Sequence, residues 1–195
     1  ILLKEVHHRI KNNINSIKSL LSLQAGAIEN EEAKKILNDA IARVQSVNIM
    51  YDKLLLSNVY KETSVKSYLK DLINAIVGIF PNKGKIIVED DIEDFELDVK
   101  RLFSIGIIVN EVVTNSMKYA FKNREQGIIS VKLSKNDKKI TLLISDNGEG
   151  IPEGFDIDNA KSLGLMLVKM LAIQLDASFR IENENGACFI FQFLL

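Results

Sequence analysis

The sequence predicts an α+β chain in which a two-helix hairpin precedes a larger domain of mixed helices and strands. Apolar residues recur every three or four positions up to about residue 58, and from about residue 60 helical and alternating patterns are mixed. The length of 195 residues allows one large domain or two small ones. We therefore expect a helical domain over 1–60 and a second domain over 61–195.

The helical region contains two apolar seams on either side of Gly26. The first seam is Leu3, Val6, Ile10, Ile14, Ile17 and Leu21, and the second is Ala33, Leu37, Ala40, Val44, Val47, Tyr51 and Leu54. This coiled-coil spacing predicts two helices joined by a turn over 25–30. Because one antiparallel hairpin covers only part of each stripe, we expect a homodimer that forms a four-helix bundle. The alternative is a hairpin within one chain that lies on the second domain.

The second region alternates between helical and strand patterns. Helices are predicted over 65–80, 99–121 and 163–175, and strands over 86–89, 128–134, 139–146, 178–182 and 187–194. Asn136–Asp137 and Asn185–Gly186 predict two hairpins, the second with a type I′ turn. Three helices and two hairpins predict an α+β sandwich with helices on one sheet face.

Composition argues against several classes of partner. The net charge of −1 gives no general attraction to nucleic acid. No apolar run approaches the roughly 18 residues that a membrane span requires, so we expect no membrane contact by this chain. The single cysteine, Cys188, lies in an apolar run and is expected in the core. Ile1 enters directly into the helical pattern, from which we expect a piece of a longer protein.

The only two histidines are adjacent, within EVHHRIKNN at 5–13. Helical geometry places His7 about 60° from the core direction and His8 roughly opposite it, near Glu5 and Asn12. An exposed histidine is usually an ordinary surface residue. With no third histidine and no second cysteine, a metal set is not indicated. What remains is His8 as a nucleophile that accepts a phosphoryl group, which requires a donor in the second region.

NEVVTNSMKY at 110–119 interrupts an apolar helix with polar residues. In a continuous helix Glu111, Asn115, Lys118 and Tyr119 share one face. A carboxylate, an amide and an ammonium on a buried face suit Mg²⁺ and phosphates. The alternative is a solvated stripe.

Two glycine-containing motifs follow. SDNGEGIPEG at 145–154 places Asp146 at a strand end, where its carboxylate can accept a hydrogen bond from an exocyclic amine. The alternative is a plain turn between a strand and a loop, with glycines that allow close backbone approach. KSLGLMLVKML at 161–171 places Ser162 and Gly164 at a helix start, which suits phosphate or a simple N-cap.

In the order N-E-x-x-x-N-x-x-K-Y, D-x-G-x-G and S-x-G-L, these motifs resemble the Bergerat-type ATPase domain. Histidine kinases, type II topoisomerases, ninety-kilodalton heat-shock chaperones and mismatch-repair ATPases share that domain. With EVHHRIKNN and LLSLQ upstream, the whole chain resembles a sensor histidine kinase core whose phosphoacceptor is followed by arginine. The resemblance implies a cytoplasmic enzyme that moves the γ-phosphoryl group of ATP to His8 and then to an aspartate of a response-regulator receiver domain.

The resemblance also implies a role for each motif. Asn115 would hold Mg²⁺, Asp146 would bind the adenine amine, and Gly148 and Gly150 would shape the pocket. The remaining nucleotide contacts implied are Lys118, Tyr119, Ser162 and Gly164.

Three further residues are assigned to the chemistry. Arg9 stands where most histidine kinases carry an acidic base, so Glu5, one turn earlier, is the candidate substitute. Glu111 either polarises the His8 imidazole or completes the metal shell. Asn12, one turn after His8, is predicted to orient a water that attacks the phospho-aspartate of the receiver; the alternative is a solvated surface position.

Two alternative functions remain open from the residues. The expected lid over 151–162 offers only Phe155 where the family has a phenylalanine-rich box, and this departure is the ground for the alternative of a phosphotransfer scaffold with a degenerate nucleotide site. Glu111 stands where topoisomerase-type ATPases carry their water-activating glutamate, which favours an ATPase that transfers the phosphoryl group to water. In addition, Ala187 replaces the usual threonine of the last strand pair.

Overall fold

The computed structural model describes residues 2–56, 63–122, 124–152, 163–183 and 185–195. Side chains are described for these residues except 2–8, 46–47, 49–56 and 63. The chain divides into two compact units, Ile1–Lys61 and Glu62–Leu195. Each unit has its own architecture and is described by itself.

The first unit is a hairpin of two helices, α1 (Leu2–Ala27) and α2 (Glu31–Leu56). The Asn30 side chain starts α2, because its Oδ1 accepts from the Ala33 backbone N–H at 2.9 Å. Asn48 Nδ2 on α2 donates to Asn15 Oδ1 on α1 at 3.2 Å and so links the helices. The predicted hairpin and its turn are confirmed.

Within the described part of this hairpin, large apolar side chains remain exposed. Four of them are Ile17, Leu20, Leu23 and Ile36. Ile17 belongs to the predicted seam, and yet half of its surface faces solvent in the single chain. One hairpin therefore leaves part of its apolar stripe uncovered, as the sequence predicts.

The second unit contains a five-stranded sheet and a two-stranded ribbon. The strands are β1 (Thr63–Ser64), β2 (Ile86–Ile92), β3 (Glu96–Leu97), β4 (Gly127–Asn136), β5 (Lys139–Asp146), β6 (Ser178–Asn183) and β7 (Ala187–Leu194). The sheet order is β2-β4-β5-β7-β6, and β1 pairs with β3. Within the sheet β2 and β4 are parallel, and the other neighbouring strands are antiparallel.

Three helices complete this unit: α3 (Val65–Gly78), α4 (Val99–Asn115) and α5 (Leu163–Gln174). Ser64 and Asp98 cap α3 and α4 by accepting from the N–H groups of Ser67 and Arg101 at 3.1 and 3.0 Å. Alternate residues of the central strands are buried and form the core with the helices. The predicted α+β class with helices against a sheet is confirmed. No described helix is long and apolar enough to cross a membrane.

Several predicted details are wrong. The β4–β5 turn lies at Asp137–Lys138, because Asn136 pairs with Lys139. Asp137 has a φ of 54°, a conformation that a short polar side chain tolerates. The β6–β7 connection spans three residues, 184–186, because Asn183 pairs with Ala187. It is therefore not a two-residue type I′ turn.

Candidate nucleotide-binding site

Asp146 ends β5, and its carboxylate is held from two sides. Ser116 Oγ donates to Asp146 Oδ2 at 2.7 Å. The backbone N–H groups of Gly148 and Ala187 donate to Oδ1 at 2.9 and 3.3 Å. Asp146 is only 8% exposed. A carboxylate has about four acceptor sites, so these three donors leave one for a further donor such as an exocyclic amine.

The loop after Asp146 is anchored to neighbouring segments of the chain. Asn147 pairs with Ile128 on β4: its Oδ1 accepts from the Ile128 N–H at 2.7 Å, and its own N–H donates to the Ile128 carbonyl at 3.1 Å. Arg124 Nη2 donates to the Gly148 carbonyl at 3.2 Å. Contacts within the protein therefore anchor the loop that carries the glycines.

Gly148 allows this loop to lie against the chain that follows α4. A Cβ at position 148 would run into the Cβ and the carbonyl of Ala120. The next N–H, from Glu149, donates to that same Ala120 carbonyl at 3.0 Å. The absence of a side chain at Gly148 thus serves close backbone packing at the wall of the site.

The helix predicted over 99–121 continues to Ala120, but it is not an α-helix beyond Asn115. Ser116–Ala120 form a π-helical turn, which contains one more residue per hydrogen-bonded ring than an α-helix. Asn82 Nδ2 donates to the Met117 carbonyl of this turn at 3.4 Å. Because the turn changes the angular spacing, the four polar residues of the motif do not share one face as predicted: Glu111 is 3% exposed and Tyr119 is 46% exposed.

Glu111 and Asn115 lie one helical turn apart at the end of α4, and both carry side-chain oxygen atoms that can coordinate a cation. Asn110 Nδ2 donates to Glu111 Oε1 at 3.3 Å. Asn115 is half-buried. The described residues contain no group of three or more His, Cys, Asp or Glu able to hold a metal. A few protein oxygens completed by phosphates and waters are the ordinary ligand set of Mg²⁺, so this pair fits that ion with a nucleotide.

Lys118 and Tyr119 both lie on the π turn, but in different environments. Lys118 is half-buried, whereas the Tyr119 ring is at the surface with Lys122 Nζ 5.4 Å from its centroid. This distance is typical of a cation–π contact. The cationic group close to the tyrosine ring is therefore that of Lys122, which follows the π turn.

The remaining predicted nucleotide contacts are Gly150, Ser162 and Gly164. Gly150 has a φ of +75°, which favours glycine. Gly164 is buried in the first turn of α5, which packs on α4. Ser162 and most of the expected lid lie outside the described residues.

The predicted phosphoacceptor lies in the other unit. His8, Glu5 and Asn12 are all on α1. The side chains at positions 5 and 8 are outside the described set, so the assignment of His8 stays a prediction. Asn12 is exposed, and its carbonyl accepts from Ser16 Oγ at 2.9 Å.

Sequence reasoning missed several residues that hold the site. Ser116 is the main one, and its signal was available, because it is a hydroxyl next to Asn115 within the polar motif that interrupts an apolar helix. Arg124 and Asn147 gave no such signal, since their contacts depend on how the loop folds back. The site is thus larger than the three motifs.

Comparison with known protein families is consistent with this geometry. A family model described as histidine kinase matches residues 5–80. A second, described as histidine kinase-, DNA gyrase B-, and HSP90-like ATPase, matches residues 98–195, half of the chain.

Individual relatives are similar over nearly the whole chain. The sensor histidine kinase PdtaS of Mycolicibacterium smegmatis is 30% identical over 187 residues, which cover 93% of this chain and 36% of that protein. Blue-light-activated histidine kinase 2 of Erythrobacter litoralis is 28% identical over 189 residues, covering 93% and 53%. The chain thus spans between about a third and about half of these relatives.

The fold is similar to a solved histidine kinase domain. The domain from a blue-light activated histidine kinase of Erythrobacter litoralis has a TM-score of 0.71 and 23% identity, covering 92% of this chain and 95% of that one. Fold, motifs and family matches agree with the resemblance found in the sequence. The chain belongs to the histidine kinase-, DNA gyrase B- and HSP90-like ATPase family and is a sensor histidine kinase catalytic core with an ATP-binding domain.

Proposed function

We propose that this chain transfers the γ-phosphoryl group of ATP to His8 and then to an aspartate in the receiver domain of a response regulator. The observation that carries the proposal is a histidine-bearing helix of the histidine kinase family in one chain with an ATPase unit. The scaffold and ATPase alternatives are not favoured by the similarity to sensor histidine kinases.

Adenine recognition falls to Asp146. Its carboxylate accepts from three donors on the protein and retains room for one more, which suits the exocyclic amine of adenine. A guanine would instead present a carbonyl oxygen to an acceptor-only group, which is repulsive. Gly148 and Gly150 shape the wall next to this carboxylate.

Phosphate binding falls to the end of α4, the π turn and the start of α5. Asn115 and Glu111 would hold Mg²⁺, which neutralises charge on the phosphates when it is bound. Lys118 adds a positive charge on the π turn. Gly164 lies in the first turn of α5, where free N–H groups favour an anion, and Ser162 is a further proposed contact. Tyr119 is a peripheral contact, as its exposure indicates.

The acceptor chemistry falls to α1. A neutral His8 imidazole nitrogen attacks the γ-phosphorus, a nitrogen–phosphorus bond forms, and the bond to the ADP oxygen breaks. Glu5, one turn before His8, takes up the imidazole proton. Asn12, one turn after it, orients the water that later hydrolyses the receiver's phospho-aspartate.

A second copy of the chain is the proposed partner of the hairpin. Leu20 and Leu23 project from α1 into solvent in the single chain, and apolar stripes of this kind are covered in four-helix bundles. We place this activity in the cytoplasm, where ATP and receiver domains are available.

A titration with ATP–Mg²⁺, followed by acid and base treatment of the labelled protein, tests the proposal. We expect saturable binding and a label on protein that survives base and is lost in acid, as a phosphoramidate is. Absence of binding would favour the scaffold. Steady hydrolysis that persists after His8→Gln would favour transfer to water.

A further inference from the structure

The backbone of Ile151, at the end of the glycine motif, is hydrogen-bonded by the Asn183 side chain of the last hairpin. Asn183 Nδ2 donates to the Ile151 carbonyl at 2.9 Å, and Asn183 Oδ1 accepts from the Ile151 N–H at 3.0 Å. A carboxamide thus pairs with both polar groups of one backbone residue. Asn183 is exposed, so burial of its side chain does not explain its presence.

Gly150 allows Asn183 to make these two hydrogen bonds to Ile151. With φ at +75°, it turns the chain so that the next residue faces Asn183. A Cβ at position 150 would run into the carboxamide of Asn183. The close approach therefore needs a glycine at 150 and a short amide at 183.

The same hairpin also holds the carboxylate of the site. Asn183 pairs with Ala187 across β6 and β7, and the Ala187 N–H donates to Asp146 Oδ1 at 3.3 Å. Asp146 and Ile151, the two ends of the glycine loop, are thus both fixed to one strand pair. Ala187, the residue next to the last β5–β7 pair of Ser145 with Cys188, is therefore linked both to Asp146 and to Asn183.

We propose that Asn183 is a positioning residue for ATP binding, which holds the Ile151 end of the glycine loop in register with Asp146. This role rests on the proposed nucleotide function of the site. A carboxamide offers one donor and one acceptor at the same reach. A carboxylate at position 183 would still accept from the Ile151 N–H, but it would have no donor for the Ile151 carbonyl and would repel that carbonyl. A hydroxyl makes only one of the two contacts, and a methyl group makes neither.

The test compares Asn183→Asp and Asn183→Ala with the parent in ATP–Mg²⁺ titrations at pH 7.5. Asn183→Ala loses both hydrogen bonds, and Asn183→Asp loses one and gains a repulsion with the Ile151 carbonyl. We therefore expect the Kd to rise about tenfold in each variant. Asn136→Asp is the matched control, because it makes the same chemical change in the hairpin at the other end of β4 and β5. It should leave the Kd within about twofold of the parent.

The aspartate variant has an additional readout that a purely structural role does not move. A carboxyl group near its ordinary pKa of about 4 is increasingly protonated as the pH falls to about 5, and its O–H becomes a donor again. The Kd deficit of Asn183→Asp relative to the parent should therefore shrink toward pH 5. The deficit of Asn183→Ala should stay constant.

The outcomes separate this proposal from the function it rests on. If the parent chain does not bind ATP–Mg²⁺, both are overturned. If the parent binds and the folded variants bind equally well, or Asn136→Asp loses as much affinity, only the role of Asn183 is overturned. Asn183→Ser, which keeps one contact, should show an intermediate Kd. Unfolding of all three Asn183 variants would make the residue purely structural and would likewise overturn the proposal.

Discussion

At the scale of single residues, the position of Asp146 was predictable from its motif, whereas its hydrogen-bond partners were not. Its position was predictable, because an alternating strand pattern ends in DNG. Its partners were not, because Ser116 is 30 residues away in sequence and begins a π turn that the pattern does not predict. A local pattern can indicate where a charged group lies. It does not contain the long-range contacts that keep the group buried and oriented.

Asp146→Asn should raise the Kd for ATP–Mg²⁺ by about tenfold or more. The new amide nitrogen is a donor where the adenine amine is a donor too, and a hydrogen bond to a charged group is lost. Nucleotide titration measures the change. Asp137→Asn removes the same charge at the opposite end of β5, where asparagine tolerates a φ of 54°, and should bind ATP like the parent. Equal affinity in both variants would contradict the role of Asp146.

Asn12→Ala should slow dephosphorylation of the receiver without affecting phosphorylation of His8. Asn12 is exposed one turn after His8, so an alanine there removes an amide without disturbing the core. Labelling of His8 should persist, and dephosphorylation of the receiver should slow severalfold. The assay follows the phosphoryl group on the receiver with ADP present. Equal rates for variant and parent would reduce Asn12 to a solvated surface position.

At the scale of elements, periodic segments were predictable and their irregular ends were not. The pattern over 99–121 indicated a continuous helix, whereas the chain changes to a π turn after Asn115. That turn is stabilised from outside, by Asn82 on its Met117 carbonyl and by Ser116 on Asp146. The predicted type I′ turn was also wrong, because the last pair of β6 and β7 is Asn183 with Ala187.

Helix α3 provides a test of core packing. Tyr68 is buried, and its hydroxyl has no hydrogen-bond partner among the described residues. Burial accordingly raises the pKa of Tyr68 well above its ordinary value. Tyr68→Phe removes a desolvated hydroxyl and should increase the free energy of unfolding by about 1 kcal/mol. Urea denaturation measures this, and the exposed Tyr119→Phe should change it by less than about 0.5 kcal/mol. A loss of stability in Tyr68→Phe would contradict an unpaired hydroxyl.

The helical hairpin provides a test of assembly. Leu20 is 63% exposed in the single chain, so Leu20→Glu places no charge inside the hairpin itself. In a four-helix bundle the same charge would be buried at the interface, and dimers should dissociate. Sedimentation should show the parent as a dimer and the variant as a monomer with unchanged helix content. Ser22→Glu, an exposed position on the same helix, should remain dimeric. A monomeric parent, or a dimeric Leu20→Glu, would contradict the proposed bundle.

At the scale of the whole molecule, the change of hydrophobic period near residue 60 already indicated two parts, and the chain divides into Ile1–Lys61 and Glu62–Leu195. The sheet order was not predictable. The parallel pairing of β2 with β4 joins strands separated by β3 and α4, and no local pattern specifies such a crossover. The proposed transfer of a phosphoryl group from a nucleotide on the second unit to His8 on the first rests on the family resemblance.

The most direct test of this account is the site of phosphorylation after incubation with γ-labelled ATP and Mg²⁺. The parent and His7→Gln should both acquire an acid-labile, base-stable label, because the acceptor His8 is intact in each. His8→Gln should bind ATP with the affinity of the parent and remain unlabelled. Labelling of His8→Gln, together with loss of label in His7→Gln, would contradict the account.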